Sequence, residues 1–362
     1  MTKKETAKVI QRGPQLLSCR EANILQTADW IQDYLQLNDK TLKKIIITNP
    51  SILGYSVTTL AGKTKYYQET FGWSIQDLVK VLTAFHIMSL SIEENLEPKR
   101  KWLHKTLNVT NDGISKLIQK NPVLLSANLD DMVDRLEFLQ GQLELNSTEA
   151  IQKFVWKAPG IFVFTKGLLE EKIMWFQSSS LGLTKREMSK VIRSQPTLLA
   201  SSIENNLEPT LQWLNDRFGQ TETKNLVTSL PSILVCSVPK KLEPQLRYLQ
   251  VLFELNETEL SSMVCKLPSI LGFTQTSLEE KLQFYATCVG SRPEALEFIS
   301  RNPRLFSASL GNRLIPRWEQ VMELDLPERG FTVPISILAT YTNTRWELYL
   351  ARRRKLIVNS GD

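Results

Sequence analysis

The chain has 362 residues, 42% of them apolar, which is enough to bury a large core, and no apolar run approaches the roughly 20 residues that span a membrane. Its 44 basic and 38 acidic residues leave a net charge of +6, a mild excess that permits a nucleic-acid partner without requiring one. The four cysteines lie far apart, with no CxxC pair, which argues against a disulfide framework and against a zinc site.

The first residues of the chain do not resemble a targeting peptide. Such a segment is basic, rich in serine and poor in acidic residues, whereas the pattern of the first helix is already established by Lys8. We therefore expect that further residues precede Met1 in the natural protein.

A short pattern recurs along nearly the whole chain: an anchor residue, which is a proline in all copies but one, followed by bulky apolar residues. The steps between successive anchors are 36, 36, 36, 37, 37, 35, 37 and 35 residues. A fixed period of this size indicates a solenoid, in which each unit buries its apolar face against its neighbours. The anchors are Pro14, Pro50, His86, Pro122, Pro159, Pro196, Pro231, Pro268 and Pro303.

Each anchor is preceded by the pattern of an amphipathic helix. In the repeat around Pro196, Thr184 and Glu187 form a capping box, which satisfies free amides at the start of a helix. Apolar residues then stand eight, five and four positions before the anchor, which is helical spacing. The proline ends the helix, because the residue before a proline is driven out of the helical region. We expect Leu198 and Leu199 to insert into the core from a short turn or 3₁₀ helix.

A second helix is predicted after each short turn. In the same repeat it begins near Ser202 and carries Pro209 early, where a missing amide costs least. About sixteen residues after each anchor an aromatic residue recurs, and we expect a core column between repeats in preference to a ladder on which bases stack. The column consists of Trp30, Tyr66, Trp102, Phe138, Trp175, Trp213, Tyr248, Phe284 and Trp318.

These elements predict an all-α protein without a sheet. We expect a right- or left-handed α-solenoid of about nine helix–short 3₁₀ turn–helix repeats of 35–37 residues. The repeat array is predicted over residues 1–325, and a C-terminal cap with a basic tail over residues 326–362.

Two further patterns connect the chain with a known family. The tripeptide Leu-Glu-Pro occurs in three of the second helices, at 96–98, 207–209 and 242–244, and the segment Phe-Thr-Val-Pro at 331–334 leads to Arg-Trp-Glu at 345–347. Together with the repeated proline pattern, these residues resemble the mTERF (mitochondrial transcription termination factor) family over about residues 8–355. The histidine anchor departs from the family pattern.

The resemblance has implications for fold and function. It implies a left-handed array whose concave side holds nucleic acid, in a mitochondrion or a chloroplast. Members of the family bind double-stranded DNA, and some act on organellar RNA or in ribosome assembly.

No catalytic, cofactor or metal site is predicted. His86 and His104 are the only histidines, and neither is paired with a cysteine or a carboxylate at ligand spacing. The chain also lacks a Gly-rich phosphate loop, a GxSxG sequence and an HExxH sequence. We therefore expect a protein that is not an enzyme and needs no cofactor, with His86 as a packed structural residue.

The basic residues of the first helices keep a constant register. A lysine stands six residues before the anchor in six successive repeats, and a basic residue stands two before it in five repeats. Positions four apart share one face of a helix, and this face lies nearly opposite the apolar one. The −6 row consists of Lys8, Lys44, Lys80, Lys116, Lys153 and Lys190, and the −2 row of Arg12, Lys120, Lys157, Lys266 and Arg301.

Stacked repeats would join these rows into a stripe that binds phosphates. We expect the interface to include Arg193 and to be extended by Arg345, Arg352 and Arg353 near the C-terminus. The lysines could instead complement the helix dipole on a solvated face, and the C-terminal arginines could form a disordered tail. A third alternative is a different basic surface around residues 99–101.

The hypothesis that accounts for these features is an organellar protein that binds nucleic acid as a monomer and has no membrane partner. We expect duplex DNA as the ligand and transcription termination or regulation as the role, through phosphate contacts and a few arginines that read base edges. Two alternatives remain open: an RNA-processing or ribosome-assembly factor, and a protein-binding α-solenoid scaffold.

Overall fold

The computed structural model describes residues 1–324 and 334–359, apart from the side chains of residues 357–359. Within these ranges the protein consists of helices and contains no strand, which confirms the prediction of an all-α repeat protein. The handedness of the array stays a prediction. The repeats are consecutive helix pairs, namely α1 (Lys3–Arg12) with α2 (Glu21–Tyr34), α3 (Asp39–Thr48) with α4 (Val57–Phe71), α5 (Ile75–Leu82) with α6 (Glu97–Leu107), α7 (Asn111–Lys120) with α8 (Leu129–Leu143), α9 (Thr148–Lys157) with α10 (Lys166–Ser178), α11 (Lys185–Ser194) with α12 (Glu208–Phe218), α13 (Gln220–Ser229) with α14 (Glu243–Phe253), α15 (Glu257–Lys266) with α16 (Gln275–Val289), and α17 (Arg292–Arg301) with α18 (Ile315–Glu323).

A short 3₁₀ turn joins the two helices of each pair and starts at the anchor. Proline suits this place because its fixed φ fits a helical turn and its missing amide would be unbonded at the first position anyway. The turn after His86 is the exception and spans only Ile87–Ser89. The other turns are Pro14–Ser18, Pro50–Gly54, Pro122–Ser126, Pro159–Val163, Pro196–Ala200, Pro231–Val235, Pro268–Gly272 and Pro303–Ser307.

The repeat around Pro196 shows how the pattern folds. The Glu187 amide donates to the Thr184 hydroxyl at 3.3 Å, and the Thr184 amide donates to the Glu187 carboxylate at 2.9 Å, so the predicted capping box is confirmed. The apolar residues eight, five and four positions before the anchor are 0% exposed, as are Leu198 and Leu199 of the 3₁₀ turn. Because every repeat presents these same positions, the core is a series of interfaces between neighbouring helix pairs.

Four second helices begin with a π turn, which we did not predict from the sequence. In α6, for example, the amide of Leu96 donates to the carbonyl of Ser91, five residues back, at 3.0 Å. Pro98 follows two residues later, has no amide to donate, and would clash with the carbonyl four residues back in a regular helix. Widening the turn before the proline relieves both problems. The four turns are Ile92–Leu96, Ile203–Leu207, Val238–Leu242 and Leu310–Leu314.

The aromatic column is not a core column, and that prediction was wrong. All nine members are partly exposed, and in eight of them the buried position is the next residue along the helix, such as Leu214 after Trp213. Adjacent residues of a helix point about 100° apart, so a ring beside the buried position lies at the border of the apolar face. Tyr66 uses this border position to donate its hydroxyl to Glu97 of the next second helix at 2.7 Å.

The prediction for His86 was also wrong. His86 stands at the anchor of its repeat, but its side chain is exposed, and the preceding Phe85 is the buried residue. The two rings lie against each other with centroids 4.1 Å apart. The histidine therefore marks a shortened 3₁₀ turn and does not fill the volume of the missing proline.

A row of polar side chains, one from each second helix, points into the boundary with the next repeat. We call this row the inter-repeat ladder. In α6, Lys99 is 2% exposed, and its ammonium donates to the carbonyl of Leu125 in the next 3₁₀ turn and to Asn95 Oδ1 at 2.8 Å. In α16, Lys281 donates to the carbonyl of Phe306 at 2.5 Å. The ladder residues are Thr27, Lys63, Lys99, Arg135, Lys172, Thr210, Gln245, Lys281 and Arg317.

The ladder satisfies main-chain carbonyls that the short 3₁₀ turns leave free. Arg135 donates to the Phe162 carbonyl at 2.6 Å, and Gln245 donates to the Ile270 carbonyl at 3.2 Å. A buried carbonyl without a donor would cost roughly 1–3 kcal/mol. The same burial disfavours the charged ammonium and lowers the pKa of Lys99 to about 8. The ladder is therefore part of the packing between repeats.

The chain forms two compact units, Met1–Ser201 and Ser202–Asp362. The predicted boundary between repeat array and cap, at residues 325 and 326, lies outside the described residues, as do residues 331–333 of the family-like segment. After the gap, the second unit continues with α19 (Ile335–Thr340) and α20 (Asn343–Asn359). The indole of Trp346 donates to Gln320 Oε1 at 2.6 Å, so α20 is held against the last repeat.

Candidate nucleic-acid interface

The lysines of the −6 row all lie on the exposed face of their helices. Each first helix from α1 to α11 buries its apolar stripe, and the side chain six residues before the anchor points away from that stripe. Lys44, Lys80, Lys153 and Lys190 are exposed, and they make no hydrogen bond or ion pair to another side chain in the described part of the chain. The ammonium groups of these four residues are therefore free to meet an external anion.

One lysine of the row has a partner on its own helix. Lys116 Nζ lies 2.7 Å from Asp112 Oδ2, one turn back, and both side chains are about two-thirds exposed or more. Exposed pairs of this kind contribute roughly 0–1 kcal/mol, so the bond competes weakly with an external phosphate. Lys8, at the start of the row, is also exposed.

The −2 row makes contacts between repeats. Lys120 Nζ donates to the carbonyl of Trp156 at 2.8 Å, and Lys157 Nζ donates to the carbonyl of Ser194 at 2.8 Å. Both acceptors are in the last turn of the next first helix, where the helix dipole is negative, and Arg12 makes the corresponding contact with α3. These residues cap a neighbouring helix, although an ammonium has three donors and Lys120 and Lys157 remain exposed.

The other −2 residues lie in the second unit. Lys266 has an exposed side chain, and Arg301 forms an exposed ion pair with Glu297 at 2.5 Å. Glu297 stands at the −6 position of its own repeat. The combination of two basic rows on one face is therefore a property of the first unit.

The remaining candidate residues belong to neither of the two basic rows. Arg193 is half-buried and its Nε donates to the Ser189 carbonyl of its own helix at 3.4 Å. Arg345, Arg352 and Arg353 lie on α20, where Arg345 and Arg353 stack over the rings of Tyr341 and Tyr349, with 5.2 Å from each guanidinium carbon to the ring centroid. The described part of the basic tail is thus helical, and the alternative of a disordered tail is wrong for these residues.

The alternative basic surface around residues 99–101 does not form. Lys99 is buried in the inter-repeat ladder, and Arg100 forms a bidentate pair with Glu97, with its Nη2 2.8 Å from Oε2. Only Lys101 of the three is exposed, and it makes no hydrogen bond or ion pair to another described residue. A phosphate backbone would therefore meet a single charge at this place.

Charge is distributed unequally between the two units. The first unit contains 26 basic and 20 acidic residues, and the second contains 18 of each, so the first unit carries the whole net charge of +6. The −6 row ends at the same boundary, since Asn225, Ser262 and Glu297 occupy its position in the next three repeats. The asymmetry is a property of the sequence, although the net charge of the whole chain does not reveal it.

Features of other classes of protein are missing from the described residues. No group of His, Cys, Asp and Glu side chains there could hold a metal ion, and the four cysteines are free and partly exposed. None of the helices that the structure describes has the length and apolar character needed to cross a membrane.

The fold and the basic face define a class: proline-anchored helical-repeat proteins with a surface suited to a polyanion. Comparison with protein families narrows the class. The chain belongs to the mTERF family, whose model matches residues 1–86, 84–179 and 170–346. The resemblance noted in the sequence is thereby confirmed.

A curated relative lies within the same family. The chain is 25% identical over 261 residues to transcription termination factor MTERF8, a chloroplast protein of Arabidopsis thaliana. The match covers 72% of this chain and 50% of the relative, so the chain spans about half the length of that protein.

Proposed function

We propose that the protein binds duplex DNA in an organelle through the −6 lysine row of its first unit, and that it controls or terminates transcription there. The observation that carries the proposal is the repetition of an exposed lysine at one register position in six successive repeats. A solvated, dipole-matched face needs basic residues near helix C-termini but does not need them at one fixed position.

The spacing of the row suits a duplex. Packed helices lie about 8–10 Å apart, so six repeats would carry the row over roughly 40–50 Å. One turn of duplex DNA is about 34–36 Å long, and its phosphates are the strongest anionic feature that such a row could follow. Contacts of this kind fix position and carry no base information, so sequence preference would have to come from other residues. Among our candidates, Arg193 and Arg345 have the side chain that reads guanine edges.

The role in transcription rests on the relative. That protein is named a transcription termination factor of the chloroplast. The family name refers to mitochondria. We propose that the protein acts in an organelle, which is either a mitochondrion or a chloroplast. Monomeric binding is part of the proposal, because a solenoid with a continuous row needs no second copy to extend it.

The test is a set of binding isotherms for the full chain. Fluorescence anisotropy would be measured with labelled duplex DNA, single-stranded RNA and duplex RNA of equal length, each at several salt concentrations. We expect the tightest binding to duplex DNA and a steep loss of affinity with salt. Tighter binding to RNA would favour an RNA-processing or ribosome-assembly role, and the absence of salt-dependent binding to all three would leave a protein-binding scaffold.

A further inference from the structure

The inter-repeat ladder has one interruption, at Thr210 of α12. The other eight ladder side chains donate to a main-chain carbonyl of the following repeat, and even the short Thr27 reaches the carbonyl of Tyr55 at 3.1 Å. Thr210 is 6% exposed, yet its side chain makes no hydrogen bond to another described residue. This boundary therefore lacks the hydrogen bond to the next repeat that the other eight ladder residues make.

A cavity of about 400 Å³ opens at this interruption. It lies within the second unit, between α12 with its π turn and the following 3₁₀ turn, and Thr210, Trp213, Asn206 and Leu234 are among its lining residues. No charged side chain lines it. Its volume is within the range of about 300–1,000 Å³ that is typical of small-molecule sites.

The cavity is a copy of the Lys99 site without the lysine. Lys99 is the residue after Leu-Glu-Pro in α6, and Thr210 is the residue after Leu-Glu-Pro in α12. The ammonium of Lys99 is held by Asn95, four residues back, and by the carbonyl of Leu125, three residues after the next anchor.

The acceptors of that site recur around Thr210. Asn206 stands four residues before Thr210, Leu234 stands three residues after Pro231, and both line the cavity. Among the described residues, the side-chain hydrogen bonds nearest to this turn end on Ser232 and Ile270, and none ends on the carbonyl of Leu234. The acceptors of a buried ammonium are therefore present without their donor.

We propose that this cavity is a binding site for a primary alkylammonium group, supplied by another molecule, that takes the place of the missing ladder lysine. The ammonium donates to the Leu234 carbonyl and to Asn206 Oδ1, and the half-buried ring of Trp213 forms an apolar wall along the alkyl chain. The group can come from the lysine side chain of a protein partner or from a free polyamine, since both end in the same ammonium.

The probe is n-butylammonium, which has the length of a lysine side chain. Ligand-observed NMR with the full chain would compare it with n-butanol, the uncharged molecule of similar size. We expect n-butylammonium to bind and n-butanol to bind at least about tenfold more weakly, because hydrogen bonds from a charged donor are the stronger ones. Equal binding of the two probes would overturn the proposal.

Two variants test the location of the site. Thr210→Lys supplies the ladder lysine from within the chain, so it should abolish binding and raise the melting temperature. Asn206→Ala removes one acceptor from an exposed position and should weaken binding about tenfold, which keeps the proposal falsifiable if Thr210→Lys does not fold. Asn205→Ala, which changes a neighbouring lining residue, is the matched control, and equal weakening by it would overturn the assignment.

The source of the ammonium is distinguished by two further ligands. Tighter binding of Nα-acetyl-lysine methylamide than of spermidine would identify a lysine side chain of a protein partner, and the reverse order would identify a free polyamine. Failure of both to bind, with n-butylammonium bound, would overturn the assignment of a biological ligand. None of these results depends on DNA binding by the first unit.

Discussion

Replacing Lys80, Lys153 and Lys190 together by glutamine should lower the salt dependence of DNA binding while leaving the fold intact. The three side chains are exposed, lie at the same register position, and have no partner among the described residues. Glutamine keeps most of the length and removes the charge. Exposed substitutions of this kind usually change the free energy of unfolding by less than about 0.5 kcal/mol.

The magnitude follows from counterion release. Each phosphate contact with duplex DNA contributes about 0.9 to the slope of log affinity against log salt concentration, so three lost contacts should reduce the slope by about 2.7. Between 50 and 200 mM salt, the affinity of the unsubstituted protein should therefore fall about 40-fold more than that of the variant. The loss should be similar for duplexes of different sequence, because phosphate contacts carry no base information.

The assay is a salt titration by fluorescence anisotropy, with circular dichroism to verify folding. The matched control replaces Lys240, Lys241 and Arg247, three exposed basic residues of the second unit, by glutamine, which removes the same net charge. An unchanged slope in the first variant, or an equal reduction in the control, would show that the −6 row does not touch phosphates. The row would then be a solvated face, and the interface would have to be sought on α20.

Three further predictions concern stability. Leu214→Ala should lower the free energy of unfolding by about 2–5 kcal/mol, whereas Trp213→Ala, at the half-buried border position, should lower it clearly less. Equal losses in urea denaturation would show that the aromatic residues do form a core column. Thr184→Ala should cost about 1 kcal/mol through loss of the capping box, which thermal melting can detect, and a melting temperature that does not move would contradict that role. The free energy of unfolding of the unsubstituted protein should rise by about 1 kcal/mol relative to Lys99→Met between pH 7 and pH 9. The pKa of Lys99 is about 8 in the folded state and 10.5 ordinarily, so between pH 7 and pH 9 the unfolded state binds more protons and stability rises with pH. A difference in unfolding free energy between the two proteins that stays constant with pH would show that Lys99 does not titrate in this range.

The repeat, the helix pairs and the 3₁₀ turns were predictable because each leaves a local signature. Capping boxes, apolar spacing and a proline at the anchor act within a few residues, so their consequences can be read without knowledge of the neighbours. The repetition supports the assignment of these elements, because a chance pattern does not recur at a period of 35 to 37 residues.

The failures occurred where one repeat meets the next. The ladder was not foreseen because its acceptors are main-chain carbonyls, which have no sequence signature at all. Lys99 was therefore read as a surface residue, although its ammonium is buried against Leu125. For the same reason the sequence did not reveal that Lys120 and Lys157 cap helices at carbonyls 36 and 37 residues away, and the assignment of these lysines as phosphate ligands stays a prediction. For border aromatics such as Trp213, the predicted core position is one residue before the position that is buried in the structure. Periodicity does not distinguish the edge of an apolar face from its centre.

The ladder also bears on how such a protein can change its length. At every boundary except the one at Thr210, a ladder side chain of one repeat donates to a main-chain carbonyl of the next, and a carbonyl is the same whichever residue carries it. A duplicated or transplanted repeat thus finds a ready acceptor in any neighbour, without a second, compensating substitution. Duplication or deletion of a repeat would lengthen or shorten the array by one unit. A duplicated repeat would carry both its exposed −6 lysine and the ladder side chain that bonds it to the next repeat.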